Sequence, residues 1–253
     1  MKAEGSQRFD RLDALRAVAI VWMAAFHFGF DLNYFGLLQP PHNFHRDALW
    51  TTQRVCIVSL FVFCAGLSQA VALHALRGGP RFARAFWRRW VQVAGCALLV
   101  SAGSALMFPR TWIQFGVLHG IAVMLVVVRL TAHWGRWLWI AGALAIAMSF
   151  VASPAIFHWP GLQFLDAKAF SWLGLVSKKP LTEDYVPVLP WLGVMWWGVA
   201  AAQWLLRERP ALLTTAIPAA ARWLAWLGGW SLVYYMLHQP VLLGLLSVVQ
   251  RFR

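Results

Sequence analysis

Apolar positions run along this chain in long blocks, broken by short polar stretches rich in arginine. The first block sets the pattern. Phe9 to Gly36 reads FDRLDALRAVAIVWMAAFHFGFDLNYFG. From Leu12 to Gly29 it is apolar enough to lie in a bilayer, yet Asp13, Arg16, His27 and Asp31 interrupt or cap it. A helix turns about 100° per residue, so Arg16 and His27, eleven positions apart, fall within about 20° of each other. Asp13 sits one turn before Arg16, and Asp31 one turn after His27. All four share one stripe, with Ile20 and the small Ala24 between them. Ionisable groups in a membrane helix are costly and face a bundle interior or a wet cavity.

The blocks predict seven spans, roughly 13–32, 53–75, 88–108, 113–130, 135–153, 187–206 and 226–248. They are continuous rather than alternating, so the expected form is an all-α polytopic transmembrane helix bundle, not a barrel. An eighth span built from part of Ile156–Leu175 or Leu212–Leu227 keeps the expectation at seven to eight. There is no repeat and no low-complexity tract, and residues 1–253 read as a single integral-membrane domain. The N-terminal run lacks a small-residue cleavage site, so the first helix is expected to serve as an uncleaved anchor.

Composition supports this reading. The chain is 60% hydrophobic and only 12% charged, against about 25% charged for an ordinary soluble domain. The formal net charge of +13 does not indicate nucleic acid, because the basic residues lie mostly between apolar runs, where they fix topology. Arg77, Arg81, Arg84, Arg88 and Arg89 fall in an acid-free stretch read as a cytoplasmic loop. With the N-terminus also inside, Lys2, Arg8, Arg11, Arg16, Arg129, Arg136, Arg207, Arg209 and Arg222 join them. That places 14 of the 22 basic residues on the inner side. The expected setting is the bacterial inner membrane, with the N-terminus cytoplasmic. Cys56, Cys64 and Cys96 all lie within apolar runs, so neither a disulfide nor a metal site is expected.

Four polar features carry candidate chemistry. One is the stripe of Arg16 and His27, whose alternative reading is an Asp13–Arg16 packing pair beside a satisfied histidine. Another is His45, with Arg46 and Asp47, before the second span. A third is QFGVLHGIA, with Gln114 and His119 placed inside the fourth span. The last is LGGWSLVYYMLHQP, where Ser231 and His238 share a face, Tyr234 lies between them and Pro240 opens the backbone. No pair among His27, His45, His119 and His238 has the close spacing of metal ligands. Histidines at membrane depth with few carboxylates suit proton transfer instead.

RLDALRAVAIVWMAAFHFGFD, LFVFCAGLSQA after Arg54, QFGVLHGIA, DYVPVLPWLGVMWWG and SLVYYMLHQPVLLG together resemble the transmembrane acyltransferase superfamily. More narrowly, they resemble the small bacterial proteins related to heparan-α-glucosaminide N-acetyltransferase. The resemblance implies a membrane enzyme that moves an acetyl group from acetyl-CoA to an acceptor across the membrane. By position, His27 falls where the lysosomal enzyme carries a polar Asn near the reacting centre. His45 falls on its proposed active-site His, with His42 as the rival, and His238 on a His near the end of both chains.

This chemistry needs a base for the nucleophile and donors for the oxyanion. The expected catalytic residues are His27, His45 and His238. Arg16, Arg88 and Arg89 are expected to hold the phosphates of the donor, acetyl-CoA. Asp31, Arg54, His119, Tyr234 and Gln239 are expected as substrate-facing or supporting groups. Besides the lipid bilayer, the partner expected is a glycan or glycolipid acceptor at the exoplasmic face. The alternative function is a proton-coupled transporter with a relay through His27, His119 and His238.

Overall fold

The computed structural model describes residues 9–252, so Lys2, Arg8 and Arg253 lie outside the described residues. The helices are α1 (Asp10–Tyr34), α2 (Ala48–Ala75), α3 (Pro80–Met107), α4 (Val117–Thr131), α5 (Trp137–His158), α6 (Val188–Glu208), α7 (Ala211–Thr214), α8 (Arg222–Gly229) and α9 (Ser231–Arg251). Seven of them, α4 being extended to Trp134 by a 3₁₀ turn, are long and apolar enough to cross a membrane. The chain is an all-α, multi-pass membrane protein. Neither Ile156–Leu175 nor Leu212–Leu227 forms a helix of membrane length; they fold into 3₁₀ turns and the short α7 and α8.

Several boundaries differ from expectation, among them the end of α5, at His158 rather than 153, and the start of α9, at Ser231 rather than 226. α2 begins at Ala48 rather than near 53, directly after Asp47. α3 begins at Pro80 rather than 88, so Arg81, Arg84, Arg88 and Arg89 ride on a helix instead of a loop. Proline suits the first helical position because its missing N–H has no partner there in any case. α4 begins at Val117, which leaves Gln114 in the extended segment before it rather than inside a span.

The described chain divides into two compact units, with the boundary inside α2. One joins the chain up to Phe61 with Ala211 onward; the other is Val62–Pro210. In the first unit α1 packs along α8 and α9. Gly228 of α8 lies so close to the backbone of Asp13 that a Cβ there would overlap the Asp13 carbonyl. Arg11 donates from Nε to the Thr215 carbonyl at 3.1 Å, tying the start of α1 to the segment after α7. Near the other end of α1, Met23, Phe26, Phe44 and Ile57 form a buried cluster edged by Trp22, Phe30, Trp50 and Tyr235. Phe44 is a loop residue only 3% exposed; its ring stacks on Trp50 at 4.0 Å and meets Phe26 and Phe30 edge-on. The loop between α1 and α2 is thereby hooked into the core.

In the second unit, α2 crosses α6 where Gly66 faces the Met195 carbonyl and Gly198 faces the Phe63 carbonyl. Small residues permit such approach where lipid offers no hydrophobic driving force. The α3–α4 and α5–α6 connections meet at one end. Glu183 N–H donates to Thr111 at 2.9 Å, Val186 N–H to Phe115 at 3.2 Å, and the Thr182 hydroxyl to Trp112 at 2.8 Å. Asp184 accepts the Val117 N–H at 2.8 Å and so satisfies a donor at the start of α4. Seven alternating spans put these two connections on the same side, as found. At the far end of α4, the Arg129 guanidinium lies 4.9 and 4.6 Å from the Phe82 and Phe86 ring centres of α3.

In the α5–α6 connection, the Ser177 amide and hydroxyl donate to Asp166 at 2.7 and 2.6 Å. These bonds hold the Asp166 carboxyl below the ordinary carboxylate range. The Tyr185 hydroxyl donates to the Ser171 carbonyl at 2.6 Å, and burial pushes it up to about 12, so it remains a donor throughout the physiological range.

Two outcomes test this packing. Gly228→Val should lower stability by about 1–3 kcal/mol, because α8 must move away from Asp13; an unchanged melting temperature in detergent would show that the approach is slack. A depressed folded-state pKa contributes stability above the ordinary carboxylate range and loses it as pH falls through the folded value. Hydrogen-exchange protection of the Ser177 amide should therefore fade on acidification below that range. Protection independent of pH there would mean that Asp166 does not hold the loop.

Candidate functional site

The stripe on α1 resolves into three polar contacts, all within the first unit. At its start Arg16 NH1 donates to Asp13 Oδ1 at 2.6 Å. This is the intrahelical pair given above as the alternative to a ligand site. Eleven residues on, His27 Nδ1 lies 2.7 Å from His238 Nε2, and the two rings lie edge to edge and nearly coplanar, with centres 5.0 Å and planes 16° apart. One turn further, Gln239 Nε2 donates to both carboxylate oxygens of Asp31, at 2.9 and 3.1 Å. Two consecutive residues of α9 thus grip two residues of α1 that are one turn apart. That fixes both the height and the rotation of α9 against α1 at this point.

Burial sharpens the picture. Asp31 is 1% exposed and His238 9%, while His27 is only half-buried. His238 spends its second nitrogen on its own helix, with Nδ1 2.7 Å from the Tyr235 carbonyl. The Tyr234 ring lies parallel to the His238 ring at 6.2 Å, and the Phe26 ring stands edge-on to His27 at 5.8 Å. The pair is therefore packed among aromatic rings, with His27 as its more accessible member.

Beyond His27 the chain forms a cleft of about 360 Å³ lined by Phe30, Asn33, Tyr34, Pro41, His42, Asn43, Phe44 and His45. Its rim is built by backbone capture. Asn33 accepts the His42 N–H at 2.8 Å and donates to the His42 carbonyl at 3.1 Å. The Asn43 side chain accepts the amides of His45 and Arg46, each at 3.1 Å. The exposed His45 ring sits 6.3 Å from that of Phe30, which is three residues past His27 on α1. His42 Nδ1 lies 4.0 Å from Asp47.

The first unit thus brings together five residues singled out from sequence: His27, Asp31, His238, Gln239 and Tyr234. His45 lines the cleft, and Arg54 is half-buried on α2 in the same unit. His119, Arg88 and Arg89 belong to the second unit. There His119 Nδ1 accepts the Gly116 N–H at 3.3 Å and Nε2 meets the Ser101 hydroxyl at 3.1 Å, which itself donates to the Ile113 carbonyl at 2.6 Å. Both His119 nitrogens are used in building the start of α4, so its contacts are those of a structural histidine. Arg88 and Arg89 are exposed on α3.

Three contributors escaped the sequence reading: the Tyr235 carbonyl, the Asn33 clamp and the buried Phe44. Only Phe44 left a signal, as one aromatic in a polar loop flanked by Phe26, Phe30 and Trp50.

A hydrogen-bonded imidazole pair one step from a buried carboxylate can accept and pass on a proton. Among the described residues no cluster of three or more metal-ligating side chains forms. No curated protein and no solved structure matches the chain. The family model described as "Heparan-alpha-glucosaminide N-acetyltransferase, catalytic" matches residues 8–240 and so takes in α1, the cleft and the His238–Gln239 step. The chain belongs to that family of membrane acetyltransferases.

Proposed function

We propose that this protein transfers an acetyl group from acetyl-CoA to an amine or hydroxyl of a glycan or glycolipid at the exoplasmic face of the bacterial inner membrane. The observation that carries the reading is the 2.7 Å contact between His27 and His238; the cleft that holds His45 is lined from Phe30 onward, three residues further along α1. Family membership supplies the reaction class.

Orientation follows from charge. Loops carrying Lys and Arg stay inside. With the Arg77–Arg89 stretch and the start of α1 cytoplasmic, Arg16 lies at the inner end of α1 and His27 in its outer half. The two are about 16 Å apart along the helix axis, a gap that a pantetheine arm spans. Arg88 and Arg89 are exposed on α3, within the second unit. Arg16, held by Asp13, adds to the positive potential rather than offering a new fork.

Acetyl-CoA supplies the acetyl group as an activated thioester. His27 takes the proton from the attacking nitrogen or oxygen as its bond to the acetyl carbon forms and the carbon–sulfur bond breaks, and it returns the proton to the departing sulfur. Tyr234, whose ring lies parallel to that of His238 at 6.2 Å, is our candidate donor to the thioester oxygen, where a preorganised donor is worth several kcal/mol, roughly 3. Asp31 and Gln239 hold α9 in register. His45 faces the cleft, whose Asn33, His42 and Asn43 groups suit a hydroxyl-rich acceptor, and it serves as a second acid–base group there.

Two measurements test this. Reporter fusions at Gly78 and at Asp47 should signal cytoplasm and exoplasm respectively; the reverse pattern would remove the two-sided mechanism. In nanodiscs, His27→Ala should abolish transfer from labelled acetyl-CoA while donor binding persists. His45→Ala should lower turnover by about 10²-fold. A dead His42→Ala variant beside a fully active His45→Ala variant would hand the loop role to His42. Full transfer by His27→Ala would overturn the assignment of the base.

A further inference from the structure

The hydrogen-bond chain through α9 has a direction, and it determines which nitrogen of His27 does the work. A carbonyl oxygen only accepts, so the 2.7 Å contact between His238 Nδ1 and the Tyr235 carbonyl requires the proton on Nδ1. A neutral imidazole carries one N–H, so His238 Nε2 is bare and accepts. The 2.7 Å contact to His27 then requires a proton on His27 Nδ1. In the neutral pair this leaves His27 Nε2 bare as well. Both nitrogens of His238 are engaged inside the protein, whereas among the described residues His27 Nε2 has no hydrogen-bond partner. Pro240, two residues past His238, lacks an N–H and so withholds the helical bond from the Met236 carbonyl, loosening the turn in which His238 folds back.

We propose that His238 is a positioning residue rather than a group that touches substrate: with the Tyr235 carbonyl it fixes the tautomer of His27 and so presents His27 Nε2 to the acceptor as the basic nitrogen. This rests on the acetyl-transfer reading. When Nε2 takes the acceptor's proton, the Nδ1 proton moves along the short bond toward His238 Nε2, and the positive charge spreads over both rings while Nδ1–H of His238 still donates to Tyr235. Return of the proton to the departing sulfur reverses the shift, and the pair is restored with no net proton gained. A histidine held in the wrong tautomer loses orders of magnitude in rate although its geometry is intact.

The test compares wild type with His238→Gln and His238→Leu. A Gln carbonyl can take the place of Nε2 and accept from His27 Nδ1–H, which preserves the tautomer; Leu cannot. Turnover in His238→Leu should fall at least about 10²-fold, with the KM for acetyl-CoA and for acceptor changed less than about threefold. His238→Gln should recover at least about tenfold of that loss. Independently of activity, ¹⁵N resonances of His27 should show a protonated Nδ1 and a bare Nε2 in wild type and in His238→Gln, and a mixture of tautomers in His238→Leu. A wild-type His27 protonated at Nε2, or Leu and Gln variants with equal turnover, would overturn the proposal. The resonance measurement requires no substrate, so it separates failure of the tautomer assignment from failure of the acetyl-transfer reading. A His238→Leu protein that does not fold leaves the wild-type and Gln spectra to decide the matter.

Discussion

A polar side chain at membrane depth has no water to fall back on, and the first unit is arranged around that constraint. α1 carries Asp13, Arg16, His27 and Asp31 on one stripe, and each finds a partner there: Arg16 on Asp13, His27 on His238, Asp31 on Gln239. Hydrogen bonds between membrane helices contribute only about 0.6 kcal/mol on average. Their role here is therefore register rather than bulk stability. The adhesion comes from close packing, with Gly228 against the Asp13 backbone at one end and the Phe26, Phe44 and Trp50 rings at the other. Once those surfaces meet, a slip of α9 by one residue would leave Asp31 buried without its amide, which costs about 1–3 kcal/mol or more. The polar steps select one alignment among those that packing alone permits.

How much of this was legible in the sequence depends on distance along the chain. The stripe on α1 follows from the 3.6-residue period, because all four residues lie within one helix. The spans followed from length and hydropathy. That His27 would meet His238 did not, since the two are 211 positions apart and no local periodicity encodes which helix lies beside which. The early start of α3 was readable, as Pro80 after Gly78 and Gly79 marks a first helical turn; the dense arginines drew the reading toward a loop. His119 illustrates the opposite case. Its place in an apolar run suggested chemistry, and only the contacts to Gly116 and Ser101 show that both nitrogens are already engaged. Gln114 fell outside α4 because the α4 start is set by Asp184, which lies in a distant connection.

The loop between α1 and α2 is a harder object for sequence reasoning. A polar stretch with Pro40, Pro41 and Asn43 reads as solvated, and most of it is. What organises it is one buried ring, Phe44, together with Asn33, which binds the His42 backbone in both directions, and Asn43, which accepts the His45 and Arg46 amides. Hydrophobic anchoring of one residue and side-chain capture of a few backbone groups build a cleft from a segment without regular structure. His45 lies one residue beyond the anchor, so its backbone is held while its ring is left exposed.

That difference bears on which histidine acts as the base. Catalytic groups require positions held within fractions of an ångström. His27 is rooted in the middle of a 25-residue helix, flanked by the Phe26 ring and fixed through Nδ1 by a neighbour that is itself tied to a backbone carbonyl. His45 sits in the loop, with an edge contact to Phe30 and its amide donating to Asn43. On our proposal the proton-handling step belongs to His27, whose ring is held through His238. On the same proposal the loop histidine, exposed at the cleft, is the one that meets the acceptor. The two proposed roles divide as the anchoring does, one histidine in a helix and the other in a loop.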